Sequence, residues 1–195
     1  MSTMASPRPA VVGALVWLAL ATAVGATGAI GALRAGPQLV ALTLTVVAVF
    51  VSSRVAVVRR SVDAVPMRAL VGIHAARFIG IAFLILGARG QLSPLFAERA
   101  GWGDTVTAAI AVVLALVGIA NRGAVGRRVL LAWNAFGTLD LMVAVGTAAL
   151  VIGRGDVPGM EPLLTLPLVL VPIFAVPLLF ATHVAIFRRL LATRS

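Results

Sequence analysis

Residues 128–153 read RVLLAWNAFGTLDLMVAVGTAALVIG. After Arg128 the only formal charge in that run is Asp140. A hydrocarbon core of ~30 Å is crossed by about 20 apolar residues of helix, at ~1.5 Å each, so this run is long enough to span a bilayer. Five more stretches of the same kind surround it, at roughly 10–33, 37–58, 66–88, 104–121 and 160–187. The stretch 66–88 carries the second intruding charge, Arg77, near its middle. A lone charge at that depth costs at least ~2.5–3.5 kcal/mol unless it is paired or faces a cavity. Arg77 lies ~16 Å past Pro66 and Asp140 ~18 Å past Arg128, at a rise of ~1.5 Å per residue. Opposite signs at similar depth mark the two as partners.

Composition agrees with the segment pattern. The 195-residue chain is 61% hydrophobic and 11% charged, and its mean hydropathy is +1.11. Soluble domains are nearer 45–50% apolar and ~25% charged. All sixteen basic residues are arginine. The net charge of +10 would suit nucleic acid, but the arginines cluster at the ends of apolar segments, which is a topology signal and not a nucleic-acid footprint. With no cysteine, disulfides, thiol nucleophiles, cysteine-ligated zinc, iron–sulfur clusters and covalent haem attachment are excluded.

The arginines also predict an orientation. With both termini cytoplasmic, eleven lie inside: Arg8, Arg54, Arg59, Arg60, Arg68, Arg122, Arg127, Arg128, Arg188, Arg189 and Arg194. Four lie outside: Arg34, Arg89, Arg99 and Arg154. The positive-inside rule favours that arrangement. The N-terminal run with its Ala21-Thr22-Ala23 triplet resembles a signal peptide. It stays apolar to Leu33, longer than a signal core, so we read it as a retained first helix of one domain over residues 1–195. Pro66 opens the third helix, Asp104 is expected as the N-cap of the fourth, and Ser93-Pro94 as the start of a separate short surface helix before it.

Within the membrane the polar side chains gather on three segments. His74 and Arg77, spaced i, i+3, share a face. Trp133, Gly137, Asp140 and Ala144 form one helical stripe, whose small members permit close helix approach. Asn134 lies ~120° from Asp140 around its helix and is expected only at the rim of their pocket. His183 stands five residues before Arg188 and is expected near the headgroups. Pro162, Pro167, Pro172 and Pro177 recur every five residues. Interior prolines free carbonyls four residues back, here those of Leu168 and Ile173. In a membrane such carbonyls must face protein or a wet cavity.

The elements Arg77-Phe78-Ile79-Gly80, Gly101-Trp102-Gly103-Asp104, Trp133-Asn134 with Gly137 and Asp140-Leu141, and Leu166-Pro167-Leu168 with Pro172, Pro177 and His183 resemble a group of small, uncharacterised bacterial multi-pass membrane proteins. The likeness covers about residues 70–190. It implies a multi-pass fold and no known activity.

The reading is an all-helical bundle of six spanning helices in a bacterial cytoplasmic membrane. Its expected site is a polar pocket of Arg77, Asp140, Asn134, His74 and His183, which binds or moves a small solute or proton. No catalytic residues, cofactor or metal are expected. Two rival readings stand beside it. In one, His74 and His183 hold haem b, or a quinone binds; in the other, the charges only order a structural subunit. The bilayer and a small ligand or ion are the expected partners; nucleic acid is not, and an oligomer is compatible with the sequence.

Overall fold

The computed structural model of the chain describes residues 6–32, 36–156 and 158–192. Arg34 and Arg194 of the orientation argument, and Leu33, lie outside them. The described residues are mostly helical and contain no strand. Six helices are long and apolar enough to cross a membrane.

The chain opens with α1 (Arg8–Ala26), which has a proline in its first turn, where no backbone donor is missed. Gly28, at φ 69°, turns the chain into the one-turn α2 (Ala29–Ala32). The long α3 (Gly36–Arg54) follows. It breaks at Val55, whose backbone is extended, and α4 (Ala56–Asp63) runs on with Arg59 and Arg60 exposed. The third apolar segment is one continuous rod in three parts. It consists of α5 (Met67–Gly72), a 3₁₀ stretch over Ile73–Phe78, and α6 (Ile79–Ala88). Next come α7 (Pro94–Leu116) and α8 (Gly123–Gly153), the latter 31 residues long.

The second span ends at Arg54 instead of 58 and the fifth begins at Gly123 instead of 128; two further boundaries differ more. The fourth helix does not begin at Asp104. It begins at Pro94 and runs unbroken past Asp104, absorbing the separate surface helix expected at Ser93-Pro94. Its buried side chains, Phe96, Ala97, Ala100, Gly101, Asp104, Thr107, Ala108, Ala111 and Leu114, keep helical spacing across the charged patch Glu98-Arg99. That stripe holds the helix together where hydropathy alone suggests a boundary. The sixth helix also shifts. Residues Pro158–Leu164 form a 3₁₀ turn, the Leu166–Pro167 peptide is cis, and Val171–Ala175 form a π turn. The regular helix α9 is Val176–Ala192, and the span-length unit is Val171–Ala192 instead of 160–187. Four prolines in sixteen residues explain this, because each interior proline removes a donor and crowds the carbonyl four residues back. The freed Leu168 carbonyl accepts the Val171 N–H at 3.0 Å.

α7 packs between α5–α6 and α8, while α9 packs against α3 and α8. Among the described residues a smaller apolar cluster of Ala21, Ile30, Val169 and Ile173 joins α1 to the proline-broken segment, and two larger ones divide the rest of the interior. One gathers Phe83, Phe96, Ala100, Ala144, Val151, Met160 and Leu163. The other gathers Leu70, Val71, Ala111, Leu130, Trp133, Ile186 and Leu190. The buried polar side chains of His74, Arg77, Asp104, Thr107, Asn134 and His183 lie in the layer between them. At the end of the second cluster the arginines tie helix termini together. Arg127 Nε donates to the Leu190 carbonyl at 2.7 Å, Arg189 to that of Val65 at 2.6 Å, and Arg188 pairs with Asp63.

Candidate functional site

Arg77 sits in the 3₁₀ stretch and is 1% exposed. A 3₁₀ helix has three residues per turn, so residues i and i+3 eclipse. His74 and Arg77 therefore stand directly in line on one face, and both are buried.

The guanidinium is held by three partners. Its Nε donates to Asp104 Oδ1 at 2.6 Å and its Nη1 to the Gly137 carbonyl at 2.9 Å; its Nη2 donates to Asp140 Oδ2. The expected Arg77–Asp140 contact is present, but Asp140 is not the only partner. Asp104, expected as the N-cap of the fourth helix, is buried at mid-helix and bonded to the same guanidinium. It lies ten residues, or ~15 Å, inside α7. The missed signal was the small-residue spacing around it: Gly101, Asp104, Ala108 and Ala111 share one face of a single helix.

The Gly-Trp-Gly-Asp element now has a steric meaning. Gly101 faces Leu84, Trp102 points outward at 62% exposure, and a Cβ on Gly103 would collide with the Asp140 carboxylate. Gly137 has the same role on α8. A Cβ there would stand 2.9 Å from both His183 Cε1 and Thr107 Cγ2 and 3.2 Å from Arg77 Nη1.

His183 is fully buried and not at a boundary. The reason is the shift of α9, which extends nine residues beyond it to Ala192. Asn134 is likewise fully buried and central, not at a rim. It turns away from Asp140 and toward α9. Its Nδ2 donates to the His183 carbonyl at 3.1 Å, and its side chain meets His183 Nδ1 at 2.8 Å. The His74 and His183 rings pack 4.2 Å apart, and both touch Trp133. Trp133 Nε1 in turn donates to the Thr107 carbonyl.

The hydrogen bonds assign both tautomers. Asn134 uses Nδ2 as donor, so its Oδ1 accepts from His183 Nδ1–H, leaving His183 Nε2 as a bare lone pair. The Thr182 hydroxyl gives its one proton to the Leu179 carbonyl at 2.8 Å. It therefore accepts from His74 Nε2 at 3.2 Å, leaving His74 Nδ1 bare. Both bare nitrogens and the Thr107 hydroxyl are buried without a partner among the described residues. Buried polar atoms are nearly always satisfied, so each unpaired one calls for an explanation. Two imidazoles ligating one iron from opposite sides stand with ring centres roughly 6 Å apart, given metal–nitrogen bonds of about 2 Å. At 4.2 Å these rings would have to part to admit one.

The layer can therefore do two kinds of chemistry. Two carboxylates face one guanidinium, so fully ionised it carries a surplus negative charge. Next to it, two neutral imidazoles offer lone pairs to a proton or a donor. Every one of these residues falls within 34–191, the stretch that matches the model of a domain of unknown function, DUF8737, whereas α1 precedes the match. Neither a curated protein nor a solved structure matches the chain. The match covers most of the sequence and all of the buried network, and the chain belongs to the DUF8737 family.

Proposed function

We propose that this is a multi-pass protein of a bacterial cytoplasmic membrane, with both termini inside, that carries protons through its buried polar layer. One observation supports this most directly. Asp104 and Asp140 share the single guanidinium of Arg77 between two apolar clusters. One unit of positive charge cannot neutralise two carboxylates, and an uncompensated charge in low dielectric is expensive. A proton resolves the imbalance, and a proton that comes and goes there is the elementary step of a carrier. Intramembrane Asp and His chains mark such relays.

The histidines supply the continuation. The third and fifth spans run in the same direction, each antiparallel to α7 between them; His74 precedes Arg77 and Asn134 precedes Asp140, so both lie on the same side of the charge cluster. That is the side of the arginine-tied helix ends, which the positive-inside rule assigns to the cytoplasm. Protons would pass between the carboxylates and the bare nitrogens of His74 and His183 through donors such as Thr107.

Purified protein in liposomes, with a pH-reporting dye inside and an inside-negative potassium diffusion potential, tests this. The lumen should acidify faster than in protein-free liposomes. Asp104→Asn and Asp140→Asn should each lower the rate at least tenfold. Wild-type rates equal to those of empty liposomes would overturn the reading.

A further inference from the structure

The surplus carboxylate does not face only Arg77. A cavity of about 340 Å³ lies on the side of the charge cluster away from the histidines. Its lining includes Phe96, which precedes Asp104 in α7, and Ala148 and Ile152, which follow Asp140 in α8. The first turn of α3 and the proline-broken segment before α9 close it, through Gln38 and Pro172. Among the described residues Asp104 supplies the only charge in its wall, and Gln38 the only other polar side chain. Ligand pockets commonly run from roughly 300 to 1,000 Å³, mostly apolar with a few polar groups that set orientation. This cavity has that size and that composition.

We propose that the cavity binds a lipophilic ammonium ion, with the apolar body between α7, α8 and the broken segment, and the ammonium N–H groups on Asp104. Three features select this class. The wall is apolar, so the body must be apolar. Among the described residues Arg77 is the one hydrogen-bond donor to Asp104, and it takes Oδ1, so the carboxylate retains acceptor capacity. The cluster has one negative charge too many, so the head must be cationic. An acyl chain fills the same volume but leaves the charge unbalanced, and an anion adds to the surplus. The ammonium takes the place that a proton takes in the proposed carrier cycle. The inference thus rests on that reading and names its second substrate: an amine that exchanges with protons at Asp104.

Calorimetry on the whole protein in phosphatidylcholine nanodiscs tests binding apart from flux. The probes are 4-phenylbutylammonium and its neutral isostere 4-phenylbutanol, each corrected for empty nanodiscs. The ammonium should bind saturably, one per protein, and at least tenfold more tightly than the alcohol. Asp104→Asn, which removes the charge, and Ala148→Phe, which fills the cavity, should each weaken it at least tenfold. Equal binding of the alcohol, no saturable binding, or a folded variant of either kind that binds as the wild type does would overturn the proposal. If Asp104→Asn does not fold, Ala148→Phe and the alcohol decide. Proton flux in liposomes without ammonium binding defeats this inference alone, whereas Asp104-dependent binding without flux defeats the carrier reading.

Discussion

Arg77 Nε donates to Asp104 Oδ1 at 2.6 Å, from the 3₁₀ stretch of one helix to the middle of the next. This bond changes what charge removal should do. With Asp140 as sole partner, deleting both Arg77 and Asp140 would leave nothing unpaired. With Asp104 present, that double variant strands a buried carboxylate. We expect Arg77→Leu to lose about 3–5 kcal/mol, the usual loss when one partner of a buried ion pair is removed. Asp140→Leu should lose less, because Asp104 still faces the guanidinium. Adding Asp104→Leu and Asp140→Leu to Arg77→Leu should recover much of the folded yield, and adding Asp140→Leu alone should not. Thermal unfolding in detergent measures these four and Asp104→Leu alone. A triple variant as unstable as the sum of its singles would mean the three are uncoupled.

The glycines around the cluster predict a contrast on one helix. Gly137→Ala places a methyl against His183, Thr107 and Arg77, all of them buried. Overpacking of this kind costs about 1–3 kcal/mol. Gly146→Ala, on the same α8, meets nothing within 4 Å. It should be neutral or stabilising by up to ~1 kcal/mol, because alanine is the better helix former. Equal midpoints for the two variants would show that Gly137 is not a close-approach position.

The pattern of legibility has a physical cause. Hydropathy reads composition over about twenty residues, so it found six long apolar helices and the two charges that violate their pattern, Arg77 and Asp140. It failed where a charge is compatible with two environments. Asp104 stands next to Gly103 and Trp102 after a charged patch, and that context fits a helix cap as well as a buried partner. Only the spacing of small residues through α7 separates the two. His183 is misplaced for a related reason: its depth depends on where the sixth span ends, and that span runs Val171–Ala192, five residues past the expected 187. Asn134 is misplaced because its angle from Asp140 says nothing of the partner it finds on α9, His183.

The paired rings give a spectroscopic expectation. Protein made with ample haem should show no Soret band that both His74→Ala and His183→Ala abolish, because the ring centres stand 4.2 Å apart, closer than the roughly 6 Å that two imidazoles need around one iron. Such a band would replace the carrier reading with a redox one.

Orientation is checked by fusion. A cytoplasm-dependent reporter after Ser195 should be active, and one placed at Arg99 inactive. The reverse pattern would invert the topology and put the histidine side of the layer outside.

Asn134 separates a relay from a staple. Its amide satisfies both the Nδ1–H and the carbonyl of His183. Asn134→Leu leaves both unpaired in a fully buried site, at about 1–3 kcal/mol for each orphaned group. His183→Leu alone orphans only the Asn134 Oδ1, because Nδ2 keeps the backbone carbonyl of residue 183. Together the two changes remove both side-chain partners and leave only the His183 backbone carbonyl, now that of a leucine, without its donor. The double variant should therefore be more stable than the sum of the singles by at least ~1 kcal/mol. Stability alone does not distinguish the two roles, so flux must be read on the folded double variant. A staple predicts proton flux restored along with stability. A relay predicts flux still at least tenfold down, because the bare Nε2 that His183 offers is gone.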